Sequence, residues 1–446
     1  MEGVYEIFEV EKEMFSMSIK RYMLFLITYI VVLVFFPLAS RNLPDVFGSF
    51  YAFSALWLVS LLFYKPSILW SKPLRLCYLY CIVWLLYLYF FIPFGTYANK
   101  EILNDFFSLI VPISIICYFY KTRQFDCLAR VVLVALVCII ITAFITIISS
   151  AVYPEISREI AGLTFSPEKY SLAEISLIQM YNKLWCASRP EGWGFICLMV
   201  GSVFFLKFYK KDFSKKILCL ILLVLSLVAL AMMQFSTLFI CALILWGLLN
   251  VSVKNRNRKV ILFSFLILLF VSIPKQFYAN SFYFVSSFFS EGSSMQSRLI
   301  GVGDYILLGD EVGEDNAVAA RLDIRYEASL DKFISAPFLG KYSPFSEVSN
   351  YYVGEGHLFW MNLLVTRGIF LFLIFCSAFY SILKVIYYNT HLQFRYFLLV
   401  TWIIFIAYGF VKVIIIRNCY MSMFVILPGL YYLPLLSKQN KKLHKN

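Results

Sequence analysis

Charged residues are scarce in this sequence, and their scarcity excludes most classes of soluble protein. Only 15% of the 446 residues are Asp, Glu, Lys or Arg, whereas 61% are hydrophobic and 19% are aromatic. Soluble globular domains carry about 25% charged residues. Apolar runs of about 18 to 22 residues recur along the chain, long enough for a helix to cross the hydrocarbon core of a bilayer. The composition therefore predicts an all-α polytopic membrane protein.

Several sequence motifs that are typical of soluble enzymes are also missing. The sequence has no P-loop, no GxGxxG motif in a strand–helix context, and no Asp-x-Asp pair of the kind that serves nucleotide sugars. It has no CxxC motif or Cys/His metal spacing, and nearly all of its 11 cysteines lie in apolar runs. We therefore expect neither an ATP-driven reaction nor a nucleotide-sugar donor, and we expect no metal and no cofactor.

The basic residues indicate how the chain is threaded through the membrane. Lys and Arg number 39 against 26 for Asp and Glu, which gives a formal net charge of +13. Most of the excess lies in short tracts between apolar runs, as the positive-inside rule requires, so a nucleic-acid partner is not expected. A cytoplasmic N-terminus places these tracts and the Lys-rich C-terminal tail inside, and the number of spans is then even.

A single transmembrane domain, 1–446, with about 12 helices satisfies this rule. The run from Ile217 to Val251 is too long for one helix, and we divide it where Gln234, Ser236 and Thr237 interrupt the apolar residues. The expected spans are 20–39, 47–64, 74–94, 102–120, 130–152, 192–209, 217–233, 236–252, 259–274, 357–385, 395–414 and 418–436.

Two segments, 153–191 and 275–356, are too polar to be spans, and both fall on the external side. External segments of this length usually carry function. In the larger one, residues 317–336 predict an amphipathic helix on which Arg321 and Arg325 lie within about 40° of each other. Two guanidinium groups on one edge suit phosphate or pyrophosphate. The alternative is a solvated helix whose arginines pair with nearby acidic residues.

Three further residues are candidates for a site. Arg189 directly precedes a span, where it either binds an anion or anchors the helix at the interface. Arg367 lies within or near a span, where a charge is costly and normally faces a cavity. His357, in GEGHLFW, has a side chain suited to a general base near neutral pH, although a lone histidine at such a junction is more often structural.

The order and spacing of these residues resemble the O-antigen polymerase and ligase superfamily. The helix headed by Arg321 ends in FISAPFLG, and His357 stands eleven residues before Gly368, which opens a span. An upstream R-x-x-G element is matched by Arg189 and Gly192. The hairpin sequence QFST is similar to a short serine-containing turn of the family.

The resemblance implies an integral-membrane, metal-independent glycosyltransferase of the polymerase type. It would join polyprenyl-pyrophosphate-linked oligosaccharide repeat units into O-antigen or a related surface polysaccharide, at the periplasmic face of a bacterial inner membrane. Donor and acceptor are then lipid-linked glycans, and membrane lipid and a chain-length regulator protein are expected partners. The implied site residues are His357 and Arg321 as catalytic residues, Arg189, Arg321 and Arg325 as pyrophosphate ligands, and Glu191, Glu355 and Arg367 as supporting residues.

Two other functions are compatible with the sequence. A ligase of the same superfamily would transfer finished polymer to lipid A–core. A flippase for the lipid-linked unit would carry charged residues in many span interiors and have short external loops. The candidate charges here lie instead in two long external segments, which favours an enzyme.

Overall fold

The structure is a computed structural model that describes residues 2–91, 96–152, 175–176, 192–209, 212–233, 236–250, 274–288, 294–308, 325–340, 358–412, 414, 416–434 and 436. For some of these, including 2–16 and 325–328, it describes the backbone alone. Across the described ranges, helices are the only regular secondary structure. The expected all-α class is confirmed.

The helices are numbered in chain order. The first group is α1 (Glu2–Phe35), α2 (Pro37–Asn42), α3 (Asp45–Gly48), α4 (Phe50–Tyr64), α5 (Pro66–Leu69), α6 (Lys72–Phe91), α7 (Thr96–Thr122) and α8 (Phe125–Val152). The second group is α9 (Gly192–Phe208), α10 (Phe213–Met232), α11 (Ser236–Asn250), α12 (Lys275–Ser286), α13 (Ser294–Leu308) and α14 (Arg325–Ser335). The last group is α15 (Phe359–Asn389), α16 (Leu392–Val411), α17 (Ile416–Met421), a π-helical segment (Ser422–Ile426), α18 (Leu427–Gly429) and a 3-10 turn (Leu430–Tyr432).

Seven of the described helices are long and apolar enough to cross a membrane, which supports a multi-pass membrane protein. They are Met17–Phe35, Lys72–Phe90, Leu103–Thr122, Phe125–Ala151, Phe213–Met232, Phe359–Asn389 and Leu392–Val411. Shorter apolar helices cover the predicted spans at 50–64, 192–208 and 237–250. The expected span at 259–274 lies almost wholly outside the described residues, so the number twelve stays a prediction.

The chain divides into two compact units. The first comprises residues 1–249, 371–408 and 414–446, and the second comprises 250–370 and 409–413. In the first unit, the segment from α17 to the 3-10 turn is buried along nearly its whole length. Small residues let neighbouring helices approach it closely, since a Cβ added at Gly201 would lie 3.2 Å from the Leu430 side chain.

A proline ends α1, and side chains from other helices complete its end. Pro37 has no N–H, and Phe36 before it leaves the helical conformation with φ −125° and ψ 80°. The carbonyl groups at the end of α1 then need donors, because lipid offers none. Asn418 Nδ2 donates to the Val34 carbonyl oxygen at 2.7 Å, and Thr142 Oγ1 donates to that of Phe35 at 3.1 Å.

The second unit contains the helical hairpin of α12 and α13. The Tyr283 hydroxyl donates a hydrogen bond of 2.7 Å to Asp304 Oδ1 across the hairpin. This bond to the carboxylate raises the pKa of the Tyr283 phenol above its ordinary value, and partial desolvation adds to the effect. Gly303 leaves room for the ring, since a Cβ there would lie 2.5 Å from Tyr283 Cε1.

The predicted amphipathic helix 317–336 is present in part. The structure has α14 from Arg325 to Ser335, and residues 317–324 lie outside the described residues. The helix ends before Pro337, whose ring is incompatible with a further helical turn. Gly340 then closes the following turn, as its N–H donates to the Ala336 carbonyl oxygen at 2.9 Å.

Candidate functional site: the glycine junction of the second unit

Two glycines join the turn after α14 to a break inside α15. Gly340 has φ +74° and Gly368 has φ +68° with ψ 173°, and both lie in a region that side chains rarely allow. A Cβ at Gly340 would lie 2.5 Å from the Gly368 nitrogen and 2.6 Å from the Arg367 nitrogen. A Cβ at Gly368 would in turn meet the carbonyl group of Phe338. The two backbones therefore touch, and only glycine at both positions permits it.

A hydrogen bond and a ring pair reinforce this glycine junction, which comprises residues 336–340 and 366–370. The Ile369 N–H donates to the Pro337 carbonyl oxygen at 2.9 Å, which satisfies a donor that the helix break leaves free. The rings of Phe338 and Phe370 stack with centroids 5.6 Å apart. The junction thus fixes the end of α14 to the point at which α15 is interrupted.

The part of α15 before the break is a buried helix that carries polar side chains. Apolar residues from Leu358 to Val365 point to several sides of it and are largely buried. Thr366 Oγ1 donates to the Asn362 carbonyl oxygen at 2.6 Å. Asn362 Oδ1 is buried and has no hydrogen-bond partner among the described residues. A buried oxygen without a donor costs about 1–3 kcal/mol, so Asn362 is a candidate for a polar ligand.

Arg367 follows these residues directly before Gly368, and its side chain is half-buried. The sequence predicted that this charge would face something other than lipid. In the structure its backbone lies within the glycine junction, one residue from the break. Arg367 is the one predicted site residue whose side chain the structure describes, and it directly follows Thr366 at the end of the same buried helix.

The other end of this buried helix is attached to the end of α16. The Phe359 N–H donates to the Lys412 carbonyl oxygen at 3.4 Å. The rings of Trp360 and Phe410 lie 6.5 Å apart between centroids. Residues 358–370 are thus held at both ends, by Lys412 at the start and by the glycine junction at the finish.

Arg325 is the first residue of α14, and the structure describes its backbone but not its side chain. The remaining predicted site residues lie outside the described residues: Arg189, Glu191, Arg321, Glu355 and His357. Their neighbours are described, since α9 begins at Gly192 and α15 at Phe359. Two of the motif segments are in contact in the structure, because Gly340 of FISAPFLG packs against the backbone of Arg367 and Gly368.

The first unit has polar groups of its own where its C-terminal helical segment begins. The Arg417 guanidinium lies over the Phe50 ring, 5.0 Å from its centroid. The next residue, Asn418, is buried and uses its Nδ2 on the end of α1, whereas its Oδ1 has no hydrogen-bond partner within the described part of the chain. A half-buried charge and a buried amide are more costly here than apolar residues, and they mark this position as a second place of interest.

Asn362 and Asn418 were not predicted from the sequence. Each of them is a polar residue within an apolar helix, and this pattern could have identified both as candidate site residues. Asn362 is also followed by Thr366 one turn later. Within the ranges that the structure describes, no group of three or more His, Cys, Asp or Glu side chains is placed to hold a metal ion.

Comparison with known protein families finds no family model that matches the chain, and comparison with curated proteins finds no match either. The residues and their geometry are therefore the basis on which a function can be proposed.

Proposed function

We propose that this protein polymerises polyprenyl-pyrophosphate-linked oligosaccharide repeat units into O-antigen or a related surface polysaccharide. The proposal places it in a bacterial inner membrane with about 12 spans, both termini in the cytoplasm, and the segments 153–191 and 275–356 in the periplasm. The observation that carries it is the glycine junction. Gly340 and Gly368 belong to the two motif segments that resemble the superfamily, and they are in direct contact.

The chemistry proposed for the site is a glycosyl transfer that uses cationic side chains. The acceptor hydroxyl oxygen bonds to the anomeric carbon of the donor sugar, and His357 takes the hydroxyl proton. The bond between that carbon and the pyrophosphate oxygen breaks, and polyprenyl pyrophosphate leaves. Arg189, Arg321 and Arg325 stabilise the negative charge that develops on the leaving group.

Residues near the glycine junction have supporting roles in this proposal. Arg367 adds a guanidinium group at the helix break, and Glu191 and Glu355 orient the arginines or His357. Asn362, whose Oδ1 has no hydrogen-bond partner among the described residues, is suited to accept a hydrogen bond from a sugar hydroxyl.

The test is complementation of a strain that lacks the gene. We expect Arg321→Ala and His357→Ala to abolish the polysaccharide ladder while the protein is present in the membrane at its normal level. Arg21→Ala is a matched control, because Arg21 is exposed near the predicted cytoplasmic end of the first span, 20–39. Full-length polysaccharide from both site variants would refute the mechanism.

The same strain separates polymerase from ligase. Loss of a polymerase leaves single repeat units attached to lipid A–core. Loss of a ligase leaves long polymer on the polyprenyl carrier. Long polymer on the polyprenyl carrier in the deletion strain would refute the polymerase function and favour a ligase that transfers polymer to lipid A–core.

A further inference from the structure

Large apolar side chains are exposed along one face of α14 and the turn after it. Leu330, Ile334, Phe338 and Leu339 are each between 43% and 64% exposed. Lys332 lies about 200° around the helix from Ile334, whereas Asp331 lies about 60° from Ile334, at the edge of the apolar face. A face with this much apolar surface is unfavourable in water and requires a partner.

The exposed apolar face continues from Phe338 onto Phe370, and the position of Phe370 indicates what covers this face. Phe338 stacks on Phe370, with centroids 5.6 Å apart, and Phe370 is itself 57% exposed. Phe370 belongs to α15, one of the helices that is long and apolar enough to cross a membrane. Gly368 breaks this helix, and the apolar run IFLFLIF begins directly after the break, so the part of α15 that crosses the membrane starts at Ile369. An exposed aromatic side chain at the start of a span faces lipid near the membrane–water interface.

The backbone contact fixes Phe338 at the same depth as Phe370. The Ile369 N–H donates to the Pro337 carbonyl oxygen, and Gly340 packs on the backbone of Arg367 and Gly368. The turn after α14 therefore cannot move away from the start of the span without breaking the glycine junction. Its exposed apolar side chains share the environment of Phe370.

We infer that α14 and the turn 336–340 form an interfacial amphipathic segment, bound to the surface of the bilayer through Leu330, Ile334, Phe338 and Leu339. Helices of this kind bury their apolar face about 5–10 Å into the boundary between headgroups and acyl chains. Lys332 then lies on the side of α14 that is turned away from the lipid, and Asp331 lies at the boundary with water. This placement of α14 does not depend on the reaction that the protein catalyses, because it follows from the exposed side chains, the glycine junction and the apolar span of α15.

The experiment measures depth in the membrane by fluorescence quenching. The full-length protein, with an environment-sensitive fluorescent amino acid at position 334, is placed in nanodiscs made from unlabelled lipid or from lipid brominated near the top of the acyl chain. We expect bromolipid to remove about half of the fluorescence at position 334, the depth of an interfacial helix. The same probe at position 332, on the opposite face of α14, should lose little.

Equal quenching at positions 332 and 334, or no quenching at 334, would overturn the inference. Cross-linking between two copies through position 334, with no quenching there, would overturn it in favour of a protein partner. If the variant at position 334 does not fold, the probe at position 339 applies the same test, because Leu339 is exposed on the turn.

Discussion

Replacing Gly368 with alanine tests the glycine junction directly. Gly368 has φ +68° and ψ 173°, a backbone conformation that is almost restricted to glycine. The added Cβ would meet the Phe338 carbonyl group and would lie 2.6 Å from the Gly340 nitrogen. These are backbone atoms, so the clash cannot be relieved by rotating a side chain. Either residues 336–340 move away or the helix break changes shape.

The expected loss of stability is the sum of three effects. The backbone strain costs about 1–3 kcal/mol, and the hydrogen bond from Ile369 to Pro337 and the ring pair of Phe338 and Phe370 are each worth about 0.5–1.5 kcal/mol. If all three are affected, the free energy of unfolding falls by about 2–6 kcal/mol. If the turn moves away without unfolding, the clash with the added Cβ is relieved, but the ring pair and the hydrogen bond are lost.

The assay is the apparent melting temperature of the purified protein in one detergent, followed by intrinsic fluorescence and by loss of monodispersity. Gly247→Ala is the matched control, because Gly247 lies on α11 and a Cβ there would meet nothing within 4 Å. Alanine in a helix interior stabilises by about 0.5–1 kcal/mol relative to glycine. We expect Gly368→Ala to melt several degrees lower and Gly247→Ala to melt at or slightly above the wild-type temperature. Equal melting of the two variants would refute the close contact.

Two further variants test other contacts. Tyr283→Phe removes the hydroxyl that bonds Asp304, and we expect faster hydrogen exchange in α12 and α13 near pH 8. The hydrogen bond to Asp304 raises the pKa of Tyr283 in the folded protein. The stabilisation by this bond is therefore complete below the ordinary phenol pKa near 10 and is lost as the pH rises through the folded-state pKa. A difference in hydrogen exchange between wild type and Tyr283→Phe that persists above the folded-state pKa would show that the hydrogen bond to Asp304 is not its cause. Asn418→Leu leaves the Val34 carbonyl without its donor and should lower stability by about 1–3 kcal/mol, and Asn418→Asp should lower it more, because a carboxylate then faces that carbonyl. Unchanged melting of both Asn418 variants would show that water replaces this bond.

The membrane character and most helix positions followed from local patterns in the sequence. The apolar runs at 213–232 and 236–250 form separate helices, as Gln234 and its polar neighbours predicted. Helix α14 lies inside the predicted amphipathic segment, and Pro337 ends it for a reason that is visible in the sequence. These features depend on residues within one or two helical turns, so periodicity and proline are sufficient to find them.

The candidate site could be predicted only as separate pieces. FISAPFLG and the pair Arg367–Gly368 were each recognised, but nothing local indicates that Gly340 touches Gly368. The same applies to Asn418, whose partner is the Val34 carbonyl oxygen at the end of α1, far away in the sequence. Contacts of this kind depend on how helices pack, which a local pattern does not encode.

By itself the sequence determined that this is a helical membrane protein with an amphipathic helical segment, because hydropathy and charge act on each stretch of chain independently. Only the tertiary structure decided that the turn after α14 is fastened to the break in α15. Two glycine backbones in contact, a hydrogen bond and a stacked ring pair hold that position, and these arise only when distant segments meet. The physical reason is that partition into lipid depends on one segment at a time, whereas close packing depends on two segments that can be far apart in the sequence.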